Sequence, residues 1–465
     1  MSFTIYGYIF VPVLLVLMLI KPRYLVYILI VSLSLQVTSI FNVDGVYSMQ
    51  LYKFISILIA IRLIVYLLLS NFKLKIKKEA KSILKFGGLF TLFVNVWSYI
   101  APNVFAGYPV FPPYLGLDYN AAHGPFPLEF SIYNIGISGY ILLYFLVLVY
   151  IASINWNKKD VNVAAYALGI SIFIVFATNI SQLISLFGFP DITKYFYTAT
   201  TRKFNYSLIG NFLPIPRIQA TFFEPSMFAP FIVGVYSYFL YNLLNKINVR
   251  NVIFTNMTLF FIILSASTTA YLSAVVITFF VLINSNFMKL TKSKVILSKQ
   301  RMANLFLAAI FISIPITIGI MTTIGFNKLI YILEEYLFKK TETLSYFSRT
   351  TADLHGIGLF FKTYGLGVGL GSNRPSSLLP YLLSQLGIIG TFLFVVFMFK
   401  IIFYCYKSLK DTKYFGLFFA NISTIISMLI AYSDLTNPTL WQFIYLGILI
   451  SLGVSKSNYD VKHLH

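Results

Sequence analysis

Long apolar runs, each near the roughly 20 residues a helix needs to cross a bilayer, dominate the chain. They fall at 4–20, 24–41, 51–70, 86–105, 131–152, 161–187, 222–244, 252–266, 267–286, 304–325, 384–404, 414–432 and 439–454. The pattern predicts an all-α, polytopic integral membrane protein with about 13 transmembrane helices (12–14), a single membrane domain over 1–465. The stretch 252–286 reads either as two short helices or as one long tilted one. Outer loops are expected at 106–130, 188–221 and 326–383, the last two large and carrying short helices.

Composition narrows the class. Hydrophobic residues make up 58% of the chain and charged residues 11%, against roughly 45–50% and about 25% in soluble domains. That excludes a water-soluble enzyme, a disordered chain and a collagen. The single cysteine, Cys405, excludes a disulfide scaffold.

Charge placement sets the orientation. No Lys or Arg precedes the first run, and Lys21 and Arg23 follow it. It reads as a retained helix with its N-terminus outside. Alternation from there puts 23 of the 35 basic residues in inner segments, including Lys73 to Lys85, Lys158 and Lys159, Lys246 and Arg250, and Lys400 to Lys413. Positive charge inside therefore accounts for most of the net +21, and no nucleic-acid partner is needed. Lys53 and Arg62 lie within the third run, where a cation is paired or snorkels.

Ten basic residues escape this rule: Lys194, Arg202, Lys203 and Arg217 in 188–221, and Lys328, Lys339, Lys340, Arg349, Lys362 and Arg374 in 326–383. Either they serve an anionic ligand, or the long loops cross the membrane regardless of their charge.

The first of these loops ends in Arg217, six further residues, Glu224 and Pro225, at the head of the seventh run. Glu224 reads as a helix-cap carboxylate, or as a base or the partner that orients Arg217. In the second loop the segment Lys328–Phe347 is predicted to lie at the interface. After Ser348-Arg349 comes a helix holding Asp353 and His355 and ending at Lys362. Gly365, Gly367, Gly369 and Gly371 then lead through Asn373-Arg374 into the helix Ser376–Leu386. The alternating glycines form either an anion-binding nest of N–H groups or a tight loop packed on neighbouring helices. The loop 106–130 has no basic residue; Tyr108, Phe111, Tyr114, Tyr119 and Phe126 suit sugar stacking or interfacial anchoring, and His123 has no evident partner. The chain has no HExxH, CxxC, Walker lysine loop or GxSxG. Four histidines and one cysteine disfavour a transition-metal site.

These blocks resemble the O-antigen polymerase and O-antigen ligase superfamily, bacterial membrane glycosyltransferases of the GT-C type. The resemblance rests on Arg217-x6-Glu224-Pro225; on Ser348-Arg349 with Tyr364 to Gly371 and Leu382-x-x-Gln385-Leu-Gly387-Ile-Ile-Gly390; on Leu264–Ser273; and on Asp434 to Trp441. It covers roughly 215–455. The family usually has an arginine where Thr268 stands, and ligases commonly carry a histidine after the glycine block, where this chain has Asn373-Arg374-Pro375. The second departure favours a polymerase over a ligase.

The resemblance implies a multi-pass protein of the bacterial inner membrane with its active site on the periplasmic face and no metal or other cofactor. It implies transfer of a glycan chain from undecaprenyl pyrophosphate to a lipid-linked repeat unit, and a chain-length regulator as partner. A lipid-linked oligosaccharide flippase is the alternative from another class. For such a reaction Arg217, Arg349 and Arg374 suit the pyrophosphate, since a guanidinium fork matches phosphate oxygens and keeps its charge. Arg202 and Lys203 would add steering. Glu224, His355 and Asp353 are the candidate bases for the acceptor hydroxyl.

Overall fold

The computed structural model describes residues 1–43, 46–71, 73–74, 76–201, 217–287 and 343–462. The predicted run 304–325 and the segment 328–342 lie outside the described residues.

The chain is mostly helical. An N-terminal pair, α1 (Ile5–Ile20) and α2 (Arg23–Ser32), is followed by α3 (Leu51–Leu69), α4 (Lys78–Val104), the short α5 (Leu117–His123), α6 (Ile132–Ser153), α7 (Lys158–Ile184) and the single turn α8 (Thr193–Phe196). Then come α9 (Pro225–Asn245), α10 (Val249–Leu264), α11 (Thr268–Phe287), α12 (Leu344–Lys362), α13 (Leu378–Leu409), α14 (Gly416–Ile430) and α15 (Pro438–Lys462). Among the described residues, α3, α4, α6, α7, α9 and α13 are long and apolar enough to cross a membrane. α1, α2, α10 and α14 are apolar but shorter, as are the described apolar parts of α11 and α15.

The helices are apolar on faces that meet no protein. On α13, Ile388, Phe392, Val395, Phe399 and Phe403 recur every three or four residues, each more than half exposed. Such a stripe suits lipid and not water. Phe394, Phe397 and Ile401 on the other face are buried. α9 is deeply set, with Phe228, Phe231, Ile232, Val233 and Val235 almost fully buried among α10, α11, α14 and α15.

Asn157 and Asp160 cap the N-terminus of α7 reciprocally. Asp160 also accepts a hydrogen bond from Tyr27 at 2.9 Å and pairs with Arg23 at 3.6 Å.

Two expectations change, and two are made definite. The run 24–41 is not one span: α2 stops at Ser32, after 10 residues. The chain then turns and enters strand β2 (Ser39–Val43), which pairs antiparallel with β1 (Ser2–Phe3) and β3 (Tyr47–Gln50). Ser32, Ser34, Gln36 and Thr38 are all buried; the Ser32 and Ser34 hydroxyls donate back to the Leu29 and Val31 carbonyls of α2, whereas Thr38 donates to the Phe196 carbonyl at 3.1 Å and the Val37 N–H to the Thr221 carbonyl at 3.3 Å. The fold is thus not purely α: a second small sheet joins β4 (Pro109–Val110) to β5 (Phe126–Pro127). The stretch 252–286 is two helices, broken at Ser265–Ser267, where Ala266 has φ 45°. The expected helix 376–386 and the eleventh span run on as α13, kinked between them at Gly387 (φ 62°, ψ −165°).

Among the described residues no carboxylate lies within 4.0 Å of the ammonium of Lys53, near the start of α3, and the side chain is only partly exposed. Its ammonium lies 4.3 Å from the ring centre of Tyr140 and 5.8 Å from that of Tyr47. Cation–π attraction takes the place of the expected ion pair or snorkel.

Candidate functional site

The best-defined site candidate is the meeting of α12, the glycine block, the start of α13 and the aromatic loop. Thr343 caps α12, accepting from the Tyr346 N–H at 3.3 Å. One face of α12 buries Ser348, Ala352, Gly356 and Leu359 at three- and four-residue spacing. That face meets α13: a side chain on Gly356 would run into Pro375, with its Cβ 2.9 Å from the ring.

Asp353 flanks the same seam, and its carboxylate is occupied. Oδ1 accepts the backbone N–H of Ser376 at 2.6 Å and of Ser377 at 3.0 Å, and Oδ2 accepts the Ser377 hydroxyl at 2.8 Å. These bonds tie α12 to the N-terminus of α13, where a carboxylate is favoured by the helix dipole. This candidate base thus has a structural task. Asp353→Ala is expected to lower stability by about 1.5–3 kcal/mol, the worth of a charge-assisted hydrogen bond. Thermal unfolding in detergent measures it. An unchanged transition midpoint would contradict the clamp.

The glycine block is a tight loop and not an anion nest. Gly365, Gly367, Gly369 and Gly371 all have φ between +74° and +90°. Their N–H groups and those between them are already donated: Gly367 to Thr363 Oγ1 (3.1 Å), Val368 to Ser384 O (2.9 Å), Gly369 to Gln385 O (2.8 Å), Leu370 to Ser98 Oγ (3.1 Å) and Gly371 to Gln385 Oε1 (2.7 Å). No N–H in this row is left to cradle a phosphate. At Gly371 any Cβ would lie 2.6 Å from the Tyr133 carbonyl oxygen. Close approach to α6 and α13 is why glycine stands there.

Loop 106–130 closes over this seam. The Phe111 N–H donates to Asn373 Oδ1 at 2.9 Å, and Arg374 Nη1 donates to the Pro113 carbonyl at 2.9 Å. His355 lies 3.1 Å by Nε2 from the Pro109 carbonyl and stacks on Phe111 at 4.2 Å between ring centres. A carbonyl only accepts, so Nε2 carries the proton and Nδ1 is the basic nitrogen of the neutral ring. Burial lowers the His355 pKa, with Lys362 adding to the effect and the Pro109 carbonyl opposing it. The loop aromatics thus pack on a candidate base; Tyr119 stacks instead on His123, at 4.0 Å, and gives that histidine its partner.

Arg349 lies four residues before Asp353 and so on the same side of α12. It is half-buried and makes no hydrogen bond or ion pair with any described residue. A partly desolvated guanidinium without an acceptor among the described residues is a cation available to an anion.

Arg217 and Glu224 belong to a second set of contacts. Arg217 donates through Nε to the Ser265 carbonyl at 3.3 Å and through Nη2 to the Ala266 carbonyl at 2.9 Å. These are carbonyls at the C-terminal end of α10, where a cation is stabilising. The structure thereby joins two of the sequence blocks, 217–225 and 264–273. The intervening backbone is held by Gln182 Oε1, which accepts from the N–H groups of Gln219 and Ala220 at 3.3 Å each. Gln219 donates to the Tyr197 hydroxyl at 2.8 Å, and that hydroxyl donates to the Phe222 carbonyl. Glu224 is the N-cap of α9 but its side chain caps no N–H; it is exposed and accepts from the Ser226 hydroxyl at 3.3 Å. Arg202 and Lys203 lie outside the described residues.

Asn373 and Gln385 stood only as members of motifs and Asn134 was not singled out, yet all three are buried and organise the glycine block. Asn134 donates to the Leu370 carbonyl and to Ser372 Oγ, both at 2.8 Å. An amide amid apolar residues in a predicted span is the one signal Asn134 left. Among the described residues, no group of three or more His, Cys, Asp or Glu could hold a metal ion. Comparison with protein-family models and with curated proteins finds no match for this chain.

Proposed function

We propose that this chain is a membrane glycosyltransferase of the O-antigen polymerase and ligase superfamily, with about 13 spans. In this reading it is a repeat-unit polymerase acting at the outer face of a bacterial inner membrane. The acceptor hydroxyl of one lipid-linked repeat attacks C1 of the glycan carried by undecaprenyl pyrophosphate. The C1–O bond to the pyrophosphate breaks, its electron pair leaves with undecaprenyl pyrophosphate, and the hydroxyl proton passes to a base.

The observation that carries the reading is the half-buried guanidinium of Arg349, which has no hydrogen bond or ion pair among the described residues, beside the seam that Asp353 ties to Ser376 and Ser377. Arg349 would hold the diphosphate as it departs, with Arg374 on the same assembly. His355 is the better-supplied base, since burial keeps it neutral and Nδ1 is its free basic atom. Glu224 is the second choice. Arg217 would hold the α10–α11 turn in shape rather than bind the leaving group directly.

Purified protein in nanodiscs, given undecaprenyl-pyrophosphate-linked repeats, should build longer lipid-linked chains. Transfer only to a lipid A core would make it a ligase, and movement across the bilayer without elongation a flippase. The acidic limb of the rate profile should fall below the ordinary histidine value of about 6.5. His355→Gln, which keeps a donor for Pro109, should remove that limb. The same lowered pKa means the unfolded chain binds this proton more readily. The stability it affects is therefore intact above about pH 6.5 and falls as pH drops toward the folded value.

A further inference from the structure

At the far end of α9 from Glu224 a cavity of about 700 Å³ opens between the inner ends of α9, α10, α11, α13 and α14. Its wall carries Lys246 and Arg250 from the α9–α10 connection and Lys410 and Lys413 from the α13–α14 connection. One carboxylate, Asp411, faces them. All five are exposed, and none forms an ion pair with a described residue.

Excess inner-loop cations are expected from topology. Topology does not explain why four of them, from two connections far apart in sequence, share one concavity. Nor does it explain the rest of the wall. Asn242, Asn245, Asn248 and Asn284 add neutral hydrogen-bonding groups, while the rings of Phe239 and Phe415 close the membrane side and are almost fully buried. The lining therefore grades from aromatic at the bilayer side to cationic at the water side. Among the described residues, three of the cations rest against aromatic faces: Arg250 lies 6.0 Å from the Phe254 ring centre, Lys410 lies 5.6 Å from Tyr406 and Lys413 5.0 Å from Tyr414. Such contacts are weak enough to yield to an anion.

We infer that this cavity is a binding site for a phosphate-bearing anion at the inner membrane surface, with the phosphate of an anionic phospholipid headgroup as its chemistry. A phosphodiester would meet the four cations while its glycerol and upper acyl carbons lie along the aromatic wall. Each basic residue near an anionic surface contributes about 1 kcal/mol. The site is separate from the outer assembly assigned above and does not depend on that assignment.

The test uses the full-length protein in nanodiscs of phosphatidylcholine with a minor share of phosphatidylglycerol, and native mass spectrometry to count the phosphatidylglycerol retained. The Lys246→Gln/Arg250→Gln/Lys410→Gln/Lys413→Gln variant should retain at least about tenfold less than wild type. Asn245→Trp, which keeps every charge and fills the cavity, should show a similar loss. Lys158→Gln/Lys159→Gln, removing inner cations outside the cavity, should retain as much as wild type. Displacement by excess inorganic phosphate would assign the site to a soluble phosphate, and resistance to it to the lipid headgroup. Equal retention by the cavity variants, or full retention by Asn245→Trp, would overturn the inference, because general surface charge would then account for binding.

Discussion

Arg349→Ala is expected to cut glycan elongation by about 10²–10³-fold, the usual cost of losing one preorganised stabiliser of developing charge. It should leave folding nearly unchanged. Arg349 has no hydrogen bond or ion pair with the described residues, so its truncation orphans no described partner. A substitution of that kind ordinarily shifts stability by no more than about 0.5 kcal/mol. Arg349→Lys should recover part of the rate: the charge returns without the planar fork that grips two phosphate oxygens. Arg217→Ala is the instructive contrast. Its guanidinium holds the Ser265 and Ala266 carbonyls, so the expected defect is in thermal stability, with activity falling as folded protein is lost. Chain-length profiles and melting curves of the same preparations separate the two. If Arg349→Ala expresses normally and still makes long chains, the diphosphate assignment is wrong.

Gly387→Val is expected to be the most damaging single change to the fold. Gly387 adopts φ 62°, ψ −165°, a conformation open almost only to glycine. Any Cβ there would sit on the carbonyl oxygens of Gly365 and Leu366. These are backbone atoms, and they cannot turn aside as a flexible side chain would. The Gly365 oxygen accepts the Ile388 N–H at 2.9 Å, so displacing it also breaks the join between the glycine block and α13. Strained backbone and overpacking each cost roughly 1–3 kcal/mol. Together they are a large part of a marginal folding free energy of about 5–15 kcal/mol. The variant should appear as aggregate in size-exclusion chromatography. Gly358→Ala serves as control: it lies within α12 with nothing within 4 Å of an added Cβ, and helix propensity favours alanine there. A monodisperse Gly387→Val with an unshifted melting curve would refute the packing described.

The spans were legible in the sequence for a simple reason. Hydropathy acts residue by residue, and a bilayer demands the same apolar length of every crossing. α3, α6, α7 and α9 therefore fall within a few residues of the runs read for them. The errors arise where apolar length and local geometry disagree. Residues 24–41 are apolar enough for a span, but Ser32, Ser34, Gln36 and Thr38 supply polar groups that hydrogen-bond in the turns between α2 and β2, which apolar length alone does not register. The glycine block was visible as a motif, yet its use as a packing surface depends on Ser98, Tyr133 and Gln385, which come from three other helices.

By itself the sequence determined a helical membrane protein, the break at the glycine block, and which residues carry chemistry worth testing. These follow from composition, periodicity and charge, all of which are local. Only the tertiary structure decided how those residues are used: Asp353 clamps α13, His355 is held by Pro109 and stacked on Phe111, Arg217 takes the α10 carbonyls, and Arg349 keeps its guanidinium clear of the described acceptors. A side chain's role depends on whether its hydrogen-bonding groups are already satisfied. In this protein the satisfying partners stand as far away in sequence as Pro109 does from His355, 246 residues, a distance that no local pattern encodes.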